Sequence, residues 1–134
     1  MKQRVAFICW GNSCRSIMAE ALARHFLGDT LAAVSAGISP LGFITRETLQ
    51  VLSELGVATQ GLHSKGLAEI PLQDCHLLVN LTEHSLKPFL PDPFSGLLVQ
   101  RPVKDPYGRS LESYRETRDE LVRLVNQEIG RWFG

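Results

Sequence analysis

No apolar run in the 134 residues approaches the roughly 20 that a helix crossing a bilayer requires. The run after Met1-Lys2-Gln3-Arg4 is too short and starts too early for a secretory leader, so the expectation is a cytoplasmic protein. Charge of one sign is lacking too, since fourteen Lys and Arg balance fourteen Asp and Glu. No global field favours DNA, RNA or an anionic membrane, and any anion specificity has to be local. Cysteine is scarce, and its count of three is odd. That argues against a secreted disulfide framework and for reduced thiols. Neither G-x-x-x-x-G-K-[ST] nor G-x-G-x-x-G occurs, which disfavours the glycine-rich nucleotide loops.

What the chain does have is a globular composition, 44% hydrophobic and 21% charged, at a length that fits one domain over residues 1–134. Arg4 to Cys9 is a nearly continuous apolar run, as expected of a strand buried on both faces of a parallel sheet. Ser16 to Leu27 follows, with Ile17, Ala21, Leu22 and Phe26 at helical spacing. Leu31 to Ala36 reads as a second strand closed by Gly37, and 37–42 as a loop. Thr45 to Leu55 reads as a helix with Thr48, Leu49, Leu52 and Leu55 on one face and Gly56 as its stop. Leu77 to Leu81 is a third strand, Thr82 to Leu86 a short helix, and Leu97 to Val99 a weaker fourth strand. From Ser110 onward, Leu111, Tyr114, Leu121, Val125, Ile129 and Trp132 mark a long amphipathic helix. Strands alternating with helices predict an α/β fold, a single four-stranded parallel sheet flanked by helices on both faces. Ligands of such sheets bind at the carboxyl ends of the strands.

At the carboxyl end of the first strand lies Cys9-Trp10-Gly11-Asn12-Ser13-Cys14-Arg15-Ser16. It is a turn that opens a helix, holding a thiol and a guanidinium separated by five residues. Gly11 and Asn12 both tolerate left-handed backbone. A turn of this kind aims backbone N–H groups at one point, where the helix N-terminus adds partial positive charge. Those donors and Arg15 favour the thiolate of Cys9 and would hold three oxygens of a tetrahedral oxyanion. One loop thus supplies a nucleophile and transition-state electrostatics, and phosphoryl transfer to sulfur is the natural reaction.

The stretch resembles the active-site loop of the low-molecular-weight protein tyrosine phosphatases, C-x-G-N-x-C-R-S followed by a helix with Met18-Ala19-Glu20. The likeness continues through Ser35-Ala36-Gly37, His63-Ser64, Asp105-Pro106-Tyr107-Gly108 and Tyr114 to Leu121, nearly the whole chain. It implies a phosphorylated protein as substrate, no metal or organic cofactor, no nucleic acid or membrane partner, and a monomer. By that likeness Cys9 attacks phosphorus and Arg15 clamps the phosphoryl oxygens beside the 10–16 loop. Ser16 steadies the thiolate, and Asp105 serves first as general acid and then as general base. Ser35 and His63 match the pair that supports Asn12 in the family. Two positions depart from the pattern. Ile17 stands where most relatives carry proline, and Trp10 where a smaller residue is usual. Trp10 is either a core aromatic or, with Tyr107 opposite, a wall of the substrate pocket.

Related arsenate reductases use the same loop with further thiols. The thioredoxin-coupled kind has two cysteines after the third strand, where this chain has Thr82 and Phe89 in a region, 80–91, without cysteine. Cys75 precedes that strand and belongs at the opposite sheet edge. Reduction through a small external thiol or glutaredoxin needs no extra cysteine and stays open. Ser13 bears on the substrate: a bulky aliphatic residue there is typical of tyrosine phosphatases, a threonine of phosphoarginine phosphatases, and serine is neither. Cys9 and Cys14 either form a protective disulfide on oxidation, or Cys14 simply packs inward.

Overall fold

A computed structural model describes residues 2–133, with side chains through Arg131. Trp132, expected on the apolar face of the last helix, lies outside the described side chains. Four strands, β1 (Gln3–Cys9), β2 (Leu31–Gly37), β3 (Leu77–Asn80) and β4 (Leu97–Gln100), form one parallel sheet in the order β2-β1-β3-β4. The central β1 is apolar and buried from Val5 to Cys9 because both its faces are covered there. Val5, Phe7 and Cys9 enter one cluster, and Ala6 and Ile8 the other. β4 is an edge strand, and Leu97 on it is half-exposed.

The two faces are covered unequally. The Val5–Phe7 side packs against α1 (Arg15–Leu27), α2 (Arg46–Glu54) and α3 (Leu111–Arg123), through Met18, Leu22, Leu52, Tyr114 and Leu121. The Ala6–Ile8 side is closed by short 3₁₀ turns and loops carrying Ile70, Leu72 and Leu86. α1 is enclosed on nearly all sides from Arg15 to Ala23. Phe26, expected to face the core, is exposed instead, since the last turn of α1 leaves the packed layer.

Three further expectations are corrected. The buried face of α2 is Thr48, Val51 and Leu52, while Leu49 and Leu55 are exposed. No helix forms over 82–86. There the buried Asn80 side chain accepts from Thr82 N (3.0 Å) and Oγ1 (2.8 Å) and donates to the His84 carbonyl (2.6 Å). These local bonds compete with helical ones, and only a 3₁₀ turn, Lys87–Phe89, follows. The last helix is not uniform either: it widens into π-helical turns over Leu124–Ile129 before α4 (Gly130–Phe133). Cys75 is buried where expected, at the amino end of β3, with its neighbour His76 bonded to Arg4 at the start of β1.

Candidate active site

Residues 10–14 run from the end of β1 into the first turn of α1, and their carbonyls are tied outward. Cys9 O accepts from Ile38 N (3.1 Å), Trp10 O from Ser39 N (2.8 Å), and Gly11 O from Leu41 N (3.0 Å) and Ser64 Oγ (3.2 Å). Ser13 O accepts from Thr45 N (3.3 Å) and Thr48 Oγ1 (3.1 Å). In a trans peptide the carbonyl and the following N–H point opposite ways. Tying these carbonyls outward therefore turns the N–H groups of Trp10, Gly11, Asn12 and Cys14 inward, around one point.

Such a tight ring needs a neighbour without a side chain. Gly37 is that neighbour: a Cβ there would lie 2.8 Å from Asn12 N and from Trp10 O. The helix start is open as well. Thr45 caps α2 and Ser110 caps α3 through their hydroxyls, but no side chain caps α1 and its first turn holds no acidic residue. An anion is the natural occupant of such an end.

Asn12 takes a left-handed conformation, φ 47°, the one non-glycine residue with positive φ among those described. Its amide holds the loop from inside. Nδ2 donates to Ser16 Oγ (2.7 Å) and Ser35 Oγ (3.0 Å), and Oδ1 accepts from Lys65 N (2.8 Å). Ser35 thus sits where the sequence places it, and His63 does not. The His63 ring is exposed and its Nδ1 lies 3.3 Å from the Gly61 carbonyl. Lys65 fills the supporting position because its ammonium reaches the buried Glu20 carboxylate (3.2 Å) and Ser35 Oγ (3.4 Å), an ion pair that an exposed ring cannot replace.

Cys9 Sγ lies 2.9 Å from Ser16 Oγ. The Ser16 oxygen already accepts from Asn12, so its hydrogen is free for the sulfur. Arg15 is buried, and its Nη1 donates to the carbonyls of Leu81 (3.2 Å) and Val103 (3.1 Å), beyond β3 and β4. That leaves Nε and Nη2 for an oxyanion, and Nη2 stands 3.6 Å from Asp105 Oδ2. The other Asp105 oxygen accepts from Tyr107 N (3.0 Å), which fixes the carboxylate at the mouth. Cys9, Arg15 and Asp105 share one cavity of about 230 Å³ with Ser13, Leu41, Trp10 and Tyr107.

Trp10 and Tyr107 are about half-exposed, 45% and 50%, so Trp10 is a cavity wall and not a core aromatic. Trp10 also meets the His84 ring, centroids 5.0 Å apart. Cys14 turns inward: its Sγ lies 3.5 Å from Thr45 Oγ1 and 3.6 Å from the Tyr114 hydroxyl, and burial raises its pKa. Burial likewise pushes the Tyr114 hydroxyl far above the ordinary phenol range. All three cysteines are free thiols. Sequence reasoning missed Leu41, Lys65 and Glu20. A loop leucine and a loop lysine carry no local signal; only the pairing of Lys65 with Glu20 across 45 positions reveals the latter. No group of His, Cys, Asp and Glu suited to a metal occurs among the described residues, and none of their helices is long and apolar enough to cross a membrane.

Several known proteins are similar to this chain in fold or sequence. A solved low molecular weight protein tyrosine phosphatase from T. tengcongensis superposes with a TM-score of 0.83 at 30% identity, over 97% of this chain and 99% of that one. The YwlE arginine phosphatase, solved as a cysteine-to-serine mutant with a phosphorylated active-site serine, gives a TM-score of 0.86 at 26% identity, over 96% and 95%. An arsenate reductase of Bacillus cereus (strain 03BB102) is 31% identical over 133 residues, 96% of this chain and 97% of the relative. The family model described as low molecular weight phosphotyrosine protein phosphatase matches residues 4–130, the sheet, the anion loop and the Asp105 segment together. With phosphatases and arsenate reductases both among its relatives, the chain belongs to the low molecular weight phosphotyrosine protein phosphatase family.

Proposed function

We propose that the protein is a phosphatase that hydrolyses phosphorylated protein side chains through a phosphocysteine. Cys9 Sγ attacks phosphorus in line; the bond to the leaving group breaks as the Asp105 carboxyl gives it a proton. Arg15 and the loop N–H groups hold the three equatorial oxygens. Asp105 then takes a proton from water, which attacks phosphorus and releases phosphate and the Cys9 thiolate. Neither metal nor organic cofactor enters these steps.

The observation that carries this reading over arsenate reduction is the placement of the thiols. After a sulfur-bound arsenic intermediate, an internal relay needs a thiol that can reach Cys9. Cys14 lines the same cavity as Cys9, but its Sγ lies against Thr45 Oγ1 and the Tyr114 hydroxyl and burial raises its pKa, which disfavours it as a thiolate. Cys75 precedes His76, which bonds to Arg4, five residues down β1 from Cys9. At about 3.3 Å per residue that separation is roughly 16 Å. The test is hydrolysis of an aryl phosphate by the purified protein, abolished in Cys9→Ser. Arsenate turnover with an added thiol or glutaredoxin, without phosphatase activity, would reverse the assignment in favour of reduction.

A second substrate, phosphoarginine, is favoured by Ser13. Its Oγ is a buried polar atom without a hydrogen-bond partner, and the residue lines the cavity. An unmet hydroxyl there can accept from a guanidinium N–H, which a phenol ring does not offer. Comparing kcat/KM for phosphotyrosine and phosphoarginine peptides decides the matter. A tyrosine preference of about a hundredfold, some 2.7 kcal/mol, removes the arginine reading.

A further inference from the structure

Lys65 is 7% exposed, and lysines are almost never so buried unless paired. Its ammonium contacts Glu20 Oε1 (3.2 Å), Ser35 Oγ (3.4 Å) and the His63 carbonyl (3.1 Å), which uses all three of its donors. Glu20 is equally buried and pairs with Arg24 through its other oxygen. No step of the proposed reaction uses this lysine, and it does not line the catalytic cavity.

Donor and acceptor chemistry fixes the direction of each bond from Lys65 as far as Ser16. An ammonium only donates and a carboxylate only accepts. Ser35 Oγ stands between them, so its hydrogen goes to Glu20 and its lone pairs face Lys65 and Asn12. That sets the Asn12 amide with nitrogen toward Ser35 and Ser16, and oxygen toward the Lys65 N–H. Ser16 Oγ, accepting from Asn12, keeps its own hydrogen for the Cys9 thiolate, which can only accept. A reversed amide would take the Ser16 hydrogen onto its oxygen and leave the sulfur without a donor.

We propose that Lys65 is a positioning residue which, through Ser35 and Asn12, fixes the donation of the Ser16 hydroxyl to the Cys9 thiolate. It closes the charge of Glu20 and anchors the backbone N–H that holds the left-handed Asn12. The proposal rests on Cys9 being the nucleophile and is independent of which substrate it attacks.

The experiment compares wild type with Lys65→Met, Ser35→Ala and His63→Ala. Alkylation of Cys9 by iodoacetamide, located by mass spectrometry, is followed from pH 5 to 9. Turnover of an aryl phosphate is measured in parallel. In Lys65→Met the alkylation rate at pH 6 falls about tenfold while the alkaline plateau is retained, because less thiolate is present. In that variant kcat falls about tenfold and KM changes less than threefold. Ser35→Ala, which interrupts the relay but leaves the Lys65–Glu20 pair, gives the same shift and serves if Lys65→Met does not fold. His63→Ala matches wild type in both readouts. Coincident alkylation profiles for wild type and the folded relay variants would overturn the proposal, as would a shift confined to His63→Ala. A wild type without phosphatase turnover counts against the proposed reaction alone, since the alkylation profile reads the thiol without substrate.

Discussion

Gly37→Ala tests whether the anion loop owes its shape to the strand beside it. The new Cβ would lie 2.8 Å from Asn12 N, 2.8 Å from Trp10 O and 2.9 Å from Gly11 C. All three are backbone atoms, so none can swing aside as a side chain would. Reaching an ordinary contact of 3.4 Å moves the loop by about 0.6 Å. The moved atoms are the ring that gathers the loop N–H groups. Misplacement near 1 Å costs about a hundredfold in rate, so kcat should fall about 10- to 100-fold. Overpacking of this kind costs about 1–3 kcal/mol, and at roughly 3–5 °C per kcal/mol for a chain of this size Tm should drop by about 3–15 °C. Gly66→Ala is the control, because its Cβ meets only side-chain atoms, the Pro40 ring at 3.3 Å and Glu69 Oε2 at 3.8 Å, and kcat should stay within twofold of wild type. The assay is steady-state hydrolysis of an aryl phosphate beside a thermal melt. A Gly37→Ala protein with wild-type kcat and a Tm within 1 °C would refute the steric reasoning.

Asp105→Asn should lower kcat about 10²- to 10⁴-fold. The loss should be larger for a phenyl than for a nitrophenyl ester, whose leaving group needs less protonation; equal losses would argue against a general acid. Ser13→Ala removes a buried hydroxyl that lacks a partner and should raise stability by about 1 kcal/mol. It should cut kcat/KM for a phosphoarginine peptide about tenfold, with phosphotyrosine within threefold, as peptide kinetics will show. Stability should fall above about pH 9. Burial raises the Cys14 thiol from an ordinary 9.0 and the Tyr114 phenol from an ordinary 10.0, so both hold their protons to higher pH in the fold than in the unfolded chain. The folded state then binds more protons, and its advantage is lost progressively as pH rises through and above about 9. Urea midpoints at pH 8 and 10.5 measure this, and Cys14→Ala with Tyr114→Phe should flatten the difference.

Much of the fold was legible because it rests on local pattern. The run Val5 to Ile8 marks a strand covered on both faces, and Gly11-Asn12 marks the left-handed turn that follows. Gly56, with φ 71°, ends α2 as its position suggests. Side-chain bonding defeated the local pattern elsewhere. Thr82 to Leu86 has helical composition, yet one buried residue before it, Asn80, takes its backbone groups. Leu49 and Leu55 have the right period for the α2 core face, but Val51 wins the place. Leu121, Val125 and Ile129 are spaced by four, a period that fits an α-helix and a wider π turn alike. Within the site, Cys9 and Arg15 come together as one loop's types and spacing suggest, and Ser16 and Asp105 join them as the family resemblance implies. The support behind Asn12 was not legible, because a histidine and a lysine two positions apart in a loop compete for it. Burial beside Glu20 decides for the ammonium.

The cavity divides into parts with different freedom to change. Leu41, Trp10 and Tyr107 form its walls, and no side-chain hydrogen bond of theirs holds the anion loop among the described residues. Beneath them, Asn12, Ser16, Ser35, Glu20 and Lys65 are joined so tightly that each fixes the next. Replacing a wall should alter which group the cavity admits while the floor is kept. A lineage carrying this fold can therefore drift in substrate by single substitutions at the rim, whereas the floor changes only when several residues change together.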